Sequence, residues 1–296
     1  MKIVSFSTPE RETFGLYLEE TGDYVDASAY IHKASNISDV PETVIDLISM
    51  MMDTPALLEE VKTAHSSFRY PADQVNVLAP IPRTRKNIFC IGKNYADHAI
   101  EMGSASDIPQ APMVFSKAPT AIIGPDEKIE PHEKATEQLD YEGEIAVVIG
   151  KKGRGITKEE AGQYIFGYTL FNDVTARDLQ KKHSQFLLGK SLDTFAPLGP
   201  WIVPKEFMPE EPLTLTTFVN GEERQQGSTD QLIFDVPTLI ETISQAITLE
   251  PGDIIATGTP AGVGKAMDPP QFLQPGDKIT IEVEGIGRLE NIVADS

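Results

Sequence analysis

Acidic residues at alternate positions are the first feature of this sequence able to do chemistry. In Asp140-Tyr141-Glu142-Gly143-Glu144 three carboxylates recur at a spacing of two, which in a β-strand sets all three on one face. The run continues as Ile145-Ala146-Val147-Val148-Ile149, an unbroken apolar stretch of the kind found in strands buried on both faces. Like charges crowded at the mouth of such a strand repel one another, and a cation is the natural compensation. Gly143 leaves the opposite face open to close approach. A further carboxylate, Asp173, ends the apolar run 166–171 and precedes a helix-like segment, 175–180, so it falls at the lip of the sheet. Three carboxylates completed by water make an all-oxygen octahedral site suited to Mg²⁺ or Mn²⁺. One cysteine and five histidines are too thin a supply for a zinc site of the Cys/His type. Spacing alone leaves a second reading open, in which Glu142 and Glu144 form a solvated edge face and Asp173 caps a helix.

Proton-transfer chemistry has a candidate in Tyr95-Ala96-Asp97-His98-Ala99-Ile100-Glu101-Met102-Gly103. His98 and Glu101 are three apart, share a helical face and are within hydrogen-bonding reach. A carboxylate beside imidazole raises its basicity and fixes its tautomer, which makes a base for water; a surface ion pair is the alternative. Residues 103–112, rich in Gly, Ser, Ala and Pro, would let this helix move as a lid. Lys117, Arg177, Gln180 and Lys190 lie close in sequence to the acidic residues and form a candidate anion pocket, although single basic residues are usually solvated surface charges. The segment Gly258-Thr259-Pro260-Ala261-Gly262-Val263-Gly264-Lys265 looks like a phosphate loop but fails the pattern. Thr259 stands where its first Gly must be, and Ala266 replaces the hydroxyl residue.

The elements that must position these groups fall into two parts. Residues 1–78 read as a small α/β unit with strands at 2–6, 13–18 and 24–26. Helices follow at 41–51 and 55–65, each opened by a Pro suited to a first helical position. Leu57, Leu58 and Val61 form the apolar side of the second. Ala79-Pro80-Ile81-Pro82 is a stiff connector to the second part, 79–296. There, strands are expected at 87–91, 113–116, 145–149, 168–172, 213–219, 253–257 and 278–283, with Asn220-Gly221 as a type I′ hairpin turn. Helices are expected at 95–102, 157–164, 175–183 and 237–247. Many turn-separated strands with few helices point to a mixed β-rich domain, not a doubly wound sheet.

Composition bounds the partners. The 296 residues carry 45 acidic and 25 basic side chains, a formal net charge of −20. Such a chain lacks the basic footprint of a nucleic-acid binder and is a poor match for an anionic membrane surface. Cys90 is the only cysteine, which suits a reducing compartment. No apolar run approaches the roughly 20 residues of a membrane span, and a cytoplasmic location is expected.

Taken together, Ile91-Gly92-Lys93-Asn94-Tyr95-Ala96-Asp97-His98, residues 140–150, residues 172–180, Gly189-Lys190-Ser191-Leu192-Asp193-Thr194 and Ile255-Ala256-Thr257-Gly258-Thr259-Pro260 resemble the fumarylacetoacetate hydrolase family, in order, over roughly residues 85–290. The resemblance implies an α+β fold, with a mixed β-sandwich roll as catalytic domain behind a small N-terminal α/β domain, and a homodimer. It implies Mg²⁺ or Mn²⁺ on Glu142, Glu144 and Asp173, and a water-activating dyad of His98 and Glu101. Lys190, Lys117, Arg177, Gln180, Gly258 and Thr259 are implied around a bound 2-oxo acid. The implied activity is cleavage of a C–C bond in a small 2-oxo acid through an enolate, as an acylpyruvate hydrolase or an oxaloacetate decarboxylase. Only Asn94 and Tyr95 stand where the longer fumarylacetoacetases carry an extra aspartate before the lid histidine. The rival readings are an isomerase or decarboxylase of hydroxylated diene dioates and a catalytically silent binding protein.

Overall fold

A computed structural model describes residues 1–34, 40–209 and 212–295; the side chains of Ala34 and Leu58 lie outside the described set. The chain begins with three antiparallel strands, β1 (Lys2–Ser7), β2 (Glu12–Leu18) and β3 (Asp23–Asp26). In register, Ile3 faces Leu16 and Leu16 faces Val25. A helix that the sequence pattern did not mark, α1 (Ala27–Ala34), follows β3 directly, and Asp26 accepts the Ala29 amide at its start. Then come α2 (Val44–Asp53) and α3 (Ala56–Lys62). Expectation placed Pro41 in the first turn of α2, but the helix starts later because Thr43 and Asp46 close a capping box. Each satisfies the other's free amide.

The remainder supplies β4 (Ile88–Gly92), α4 (Ala96–Glu101) and β5 (Met113–Lys117). After them come β6 (Gly143–Ile149), β7 (Ile165–Asn172), α5 (Arg177–His183), α6 (Leu187–Lys190) and β8 (Ala196–Pro204). The chain closes with β9 (Thr214–Val219), β10 (Glu222–Ser228), α7 (Val236–Ser244), β11 (Ile254–Ala256), β12 (Lys278–Val283) and β13 (Gly287–Val293). The large sheet runs β3-β2-β1-β8-β7-β6-β11-β4-β5, and a smaller one runs β10-β9-β12-β13. The N-terminal strands thus join the large sheet where Ile3 pairs with Ile202. Most pairings are antiparallel, while β11 and β4 run parallel, so the sheet is mixed. Asn220 and Gly221 both take positive φ, as a type I′ turn between β9 and β10 requires. The helix expected at 157–164 is only a 3₁₀ turn, Ala161–Gln163. Gly162 weakens it and strand β7 begins two residues past its end. No helix among the described residues is long and apolar enough to cross a membrane.

The two sheets pack as a sandwich. Ile145, Leu170 and Val203 of the large sheet meet Leu215, Ile281 and Leu289 of the smaller. Every residue of β6 is buried, which explains its continuous apolar run. Its odd-numbered residues face the smaller sheet and, further along, α7; its even-numbered residues face the opposite core. Glu142 and Glu144 belong to that even face. Asp140 does not continue it, because the strand expected over 140–149 is broken at Tyr141 and Glu142. Asp140 instead pairs with Thr175 in a separate two-stranded ladder.

Gly143 is where the second sheet presses on the acidic strand. A Cβ there would lie 2.1 Å from Thr217 Oγ1, and Thr217 is fully buried. Gly143→Ala is therefore expected to cost about 1–3 kcal/mol by overpacking. A lowered denaturant midpoint would report it, and the double variant with Thr217→Ala should recover most of the loss. Full stability in the single variant would contradict this packing.

Candidate active site

The antiparallel register of β6 and β7 sets Gly143 opposite Asn172, so Asp173 emerges beside Glu142. Its amide donates to the Glu142 carbonyl at 2.8 Å, and the Asn172 side chain accepts the Glu142 amide at 3.1 Å. Carboxylate oxygens of Glu142, Glu144 and Asp173 converge to within 4.8 Å of one another, all three buried. The solvated-edge reading of these residues fails on that burial.

Cations are interleaved with them. Lys190 Nζ donates to Glu142 Oε2 and to Asp173 Oδ2, each at 2.8 Å. Lys117 Nζ donates to Asp173 Oδ1 at 2.6 Å and to the Val174 carbonyl at 2.8 Å. Arg177 donates through Nη1 to Glu142 Oε1 at 2.7 Å and through Nε to Asp140 Oδ2 at 2.8 Å. Burial acts to raise the Glu142 pKa, but Lys190 and Arg177 outweigh it and hold this carboxyl far below the carboxylate range. Burial lowers the Lys117 pKa, and Asp173 only partly offsets it. Burial acts to lower the Lys190 pKa too, but there Asp173 and Glu142 prevail and raise it.

Glu144 is the exception. Its Oε2 accepts the Gly258 amide at 2.8 Å, and no basic side chain among the described residues pairs with it. Burial pushes its carboxyl pKa well up, and the charges of Asp173 and Glu142 add to the shift. A buried carboxylate facing two others, with no cation of its own, fits a dication held by Glu142, Glu144 and Asp173. The all-oxygen donor set matches Mg²⁺ or Mn²⁺ chemistry.

A cavity of about 250 Å³ opens onto this cluster, lined by His98, Glu142, Arg177, Gln180, Lys190 and Thr259 together with an apolar wall that includes Phe115 and Phe186. That is smaller than the usual drug-sized pocket and suits a small acid. Arg177 Nη2 is buried and lacks an acceptor, a donor left over for an anion. His98, on α4, hydrogen-bonds through Nδ1 to Glu101 Oε1 at 2.7 Å, as the helical spacing predicts. The other Glu101 oxygen accepts the Gly262 amide at 2.9 Å, which ties α4 to the loop after β11. Thr259 Oγ1 donates to the Gly143 carbonyl at 2.9 Å and accepts from Gln225 at 2.7 Å.

Several candidates sit differently from their expected roles. Lys117 is fully buried beneath Asp173 and does not line the cavity, so it holds a carboxylate of the protein and not a ligand. Gly258 likewise gives its amide to Glu144. Asp140, grouped by spacing with the acidic strand, is fully used elsewhere: it accepts from Arg177, Tyr141, Gly264 and Lys265. Sequence reasoning missed Gln225, which lies in a polar edge strand with no distinguishing pattern. It also missed Lys93, Lys181 and Lys265 on the cavity wall; the position of Lys265 six residues after Thr259 was the available signal.

A sandwich of this topology, with buried carboxylates at one strand mouth and a histidine–glutamate dyad over them, defines a family. The Fumarylacetoacetate (FAA) hydrolase C-terminal family matches residues 87–294, and the chain belongs to it. Oxaloacetate tautomerase YisK of Bacillus subtilis (strain 168) is 58% identical over 226 residues, 76% of this chain and 75% of that one. A fumarylacetoacetate hydrolase from Exiguobacterium antarcticum superposes with a TM-score of 0.84 at 41% identity, covering 100% of both chains. A 2-hydroxyhepta-2,4-diene-1,7-dioate isomerase from Mycobacterium marinum gives 0.75 at 32% identity, covering 99% of this chain and 98% of that one.

The cation network separates two substitutions that look alike in sequence. Asp173→Ala strips Lys117 and Lys190 of a shared partner and is expected to cost about 3–5 kcal/mol. Glu144→Gln removes a like charge and should leave the metal-free protein as stable or more so, while abolishing Mn²⁺ binding in a titration. Because the Glu144 pKa is raised on folding, the metal-free protein loses stability as pH rises through it, whereas a cation needs the ionised form. The gain in Tm on adding Mn²⁺ should therefore grow from mildly acidic to mildly alkaline pH. A gain independent of pH would contradict the assignment.

Proposed function

We propose that this protein acts on small 2-oxo acids through their enolate, either cleaving a C–C bond or moving a proton, with Mg²⁺ or Mn²⁺ as cofactor. The observation that carries the reading is the leftover Arg177 donor, which shares one small cavity with Glu142 and His98. Held by Glu142, Glu144 and Asp173, the dication would supply the positive charge that a developing enolate needs. Arg177 and Gln180, both on the cavity wall, would bind the substrate carboxylate. Lys190 donates to both Glu142 and Asp173 and so holds the two carboxylates in position. The apolar wall of Phe115, Phe186 and Met102 limits water around the reacting carbons.

His98 handles the proton. With Glu101 on Nδ1, its Nε2 is the free ring nitrogen, able to take a proton from C3 of a 2-oxo diacid or from a water molecule. In the first case, return of the proton to oxygen gives tautomerisation. In the second, the water adds to the remote carbonyl of an acylpyruvate, the resulting tetrahedral adduct collapses to a carboxylic acid with loss of the pyruvate enolate, and the proton held by His98 returns to C3 of that enolate. Loss of CO₂ from oxaloacetate needs no water and no proton abstraction at carbon. The relative named an oxaloacetate tautomerase favours oxaloacetate as a substrate and proton transfer as a reaction. The diene dioate isomerase among the structural neighbours keeps that substrate class as the second reading.

Incubating the Mn²⁺-loaded protein in parallel with oxaloacetate, an acylpyruvate and a hydroxylated diene dioate, and resolving the products, decides between these. Keto–enol exchange of oxaloacetate well above the buffer rate is expected. His98→Asn should lower proton transfer by about 10²–10⁴ while leaving oxaloacetate decarboxylation less affected. Absence of turnover with all three substrates would end the reading.

A further inference from the structure

The cavity carries a second set of cations that the acidic cluster does not use. Lys93, Lys181 and Lys265 all line it. Lys181 and Lys265 are exposed, so they stand where the cavity meets solvent. Lys93 is paired with Asp107 at 3.6 Å, whereas Lys181 and Lys265 have no carboxylate partner among the described residues. Their setting in a chain of net charge −20 is notable, because the overall field repels anions and only a local cluster can draw one in.

Lys265 has a free side chain on a fixed backbone. Its amide and that of Gly264 donate to Asp140 at 3.1 and 2.8 Å, and Asp140 is the carboxylate that also holds Arg177. One buried residue therefore sets the positions of both the Arg177 guanidinium, deep in the cavity, and the Lys265 stem at its mouth. Partial burial lowers the Lys265 pKa, the Arg177 charge adds to the effect, and Asp140 opposes it. The head of a 2-oxo acid uses the deep donors. Beyond them the wall is Met102, Met113, Phe115 and Phe186, which offers nothing to a second charge. A short diacid whose head took those donors would carry its second carboxylate towards the mouth.

We propose that Lys265, aided by Lys181, binds the second carboxylate of a short 2-oxo dicarboxylic acid and so selects dianionic over monoanionic substrates. This rests on the reading of the site as one for 2-oxo acids and names the substrate class within it.

The test compares malate with lactate, which share a 2-hydroxy acid head and differ in the second carboxylate. Each is titrated calorimetrically into the full-length Mg²⁺-loaded protein, with oxalate as a probe of the head-group site alone. The wild type is expected to bind malate at least about tenfold more tightly than lactate, the range set by a charged hydrogen bond. Lys265→Gln should shrink that ratio by about tenfold while still binding oxalate, and Lys265→Arg should keep most of it. Equal affinities in the wild type, an unchanged ratio in Lys265→Gln, or a loss of oxalate binding as large as the loss for malate would each overturn the proposal. A protein that keeps the Lys265-dependent ratio but turns over no 2-oxo acid would sink the reading of its reaction and leave this one standing. Turnover of oxaloacetate with a ratio indifferent to Lys265 would do the reverse.

Discussion

Charges taken out of water must be matched one by one, and that constraint organises this molecule. Asp140, Glu142, Glu144 and Asp173 are all buried, as are Lys117, Arg177 and Lys190. Desolvating a single such group costs several kcal/mol, and the cost is recovered only when geometry places an opposite charge against it. Asp173 is shared by two lysines, Glu142 by a lysine and an arginine, and Asp140 by Arg177 and three backbone amides. Among the described residues Glu144 alone of these four faces other carboxylates without a basic partner. The network is therefore one positive charge short, and the shortfall lies where the three carboxylates converge. A hydrophobic replacement of any cation would leave an uncompensated carboxylate, so the pairs that hold the site are also pairs the fold cannot easily lose.

The loop after β11 performs the second organising task. Its sequence resembles a phosphate loop, and its backbone amides do bind anions, but the anions are the protein's own. Gly258 reaches Glu144, Gly262 reaches Glu101, and Gly264 and Lys265 reach Asp140. Gly258 and Gly262 take φ of +106° and +108°, a region that L side chains avoid, and at Gly262 a Cβ would sit 1.9 Å from the Arg224 carbonyl. The glycines are there because three carboxylates from separate elements are gripped by one stretch of backbone. The Gly262 carbonyl in turn accepts the Tyr141 hydroxyl at 2.8 Å, which fixes the peptide groups on both sides of that residue. Through Glu101 the loop sets where α4 and His98 lie, so His98 and the acidic cluster share a common support.

This division explains what could be read in advance. Glu142, Glu144 and Asp173 were legible because alternation in a strand and a strand end are local geometry, and because a buried acidic face is chemically conspicuous. The His98–Glu101 contact was legible for the same reason, being one helical turn. Asp140 was misplaced because its spacing continued the pattern while the backbone did not: the strand breaks at Tyr141, and the ladder with Thr175 is a long-range event. Lys117 looked like any pocket lysine, since nothing local shows that its ammonium ends beneath a carboxylate 56 positions away. Strand β8 went unmarked because Pro197, Gly199 and Pro200 are poor strand formers, yet pairing on both sides with β1 and β7 imposes the extended form. Helix α1 is short and only moderately amphipathic, and its stability comes from packing on the N-terminal strands.

The same physical division bears on how reaction and substrate are specified. The groups that stabilise negative charge sit on the even face of β6 and at the end of β7, where nearly every atom is buried and paired. Little can change there without exposing an unmatched charge. The mouth of the cavity obeys no such rule. Lys181 and Lys265 are exposed and have no carboxylate partner among the described residues, and replacing either leaves no buried charge behind. Energetic constraint is thus concentrated on the buried acidic cluster and relaxed at the mouth of the cavity. Exposed side chains at the mouth can therefore change without disturbing the buried network, and in this chain Lys181 and Lys265, which stand there, are cationic.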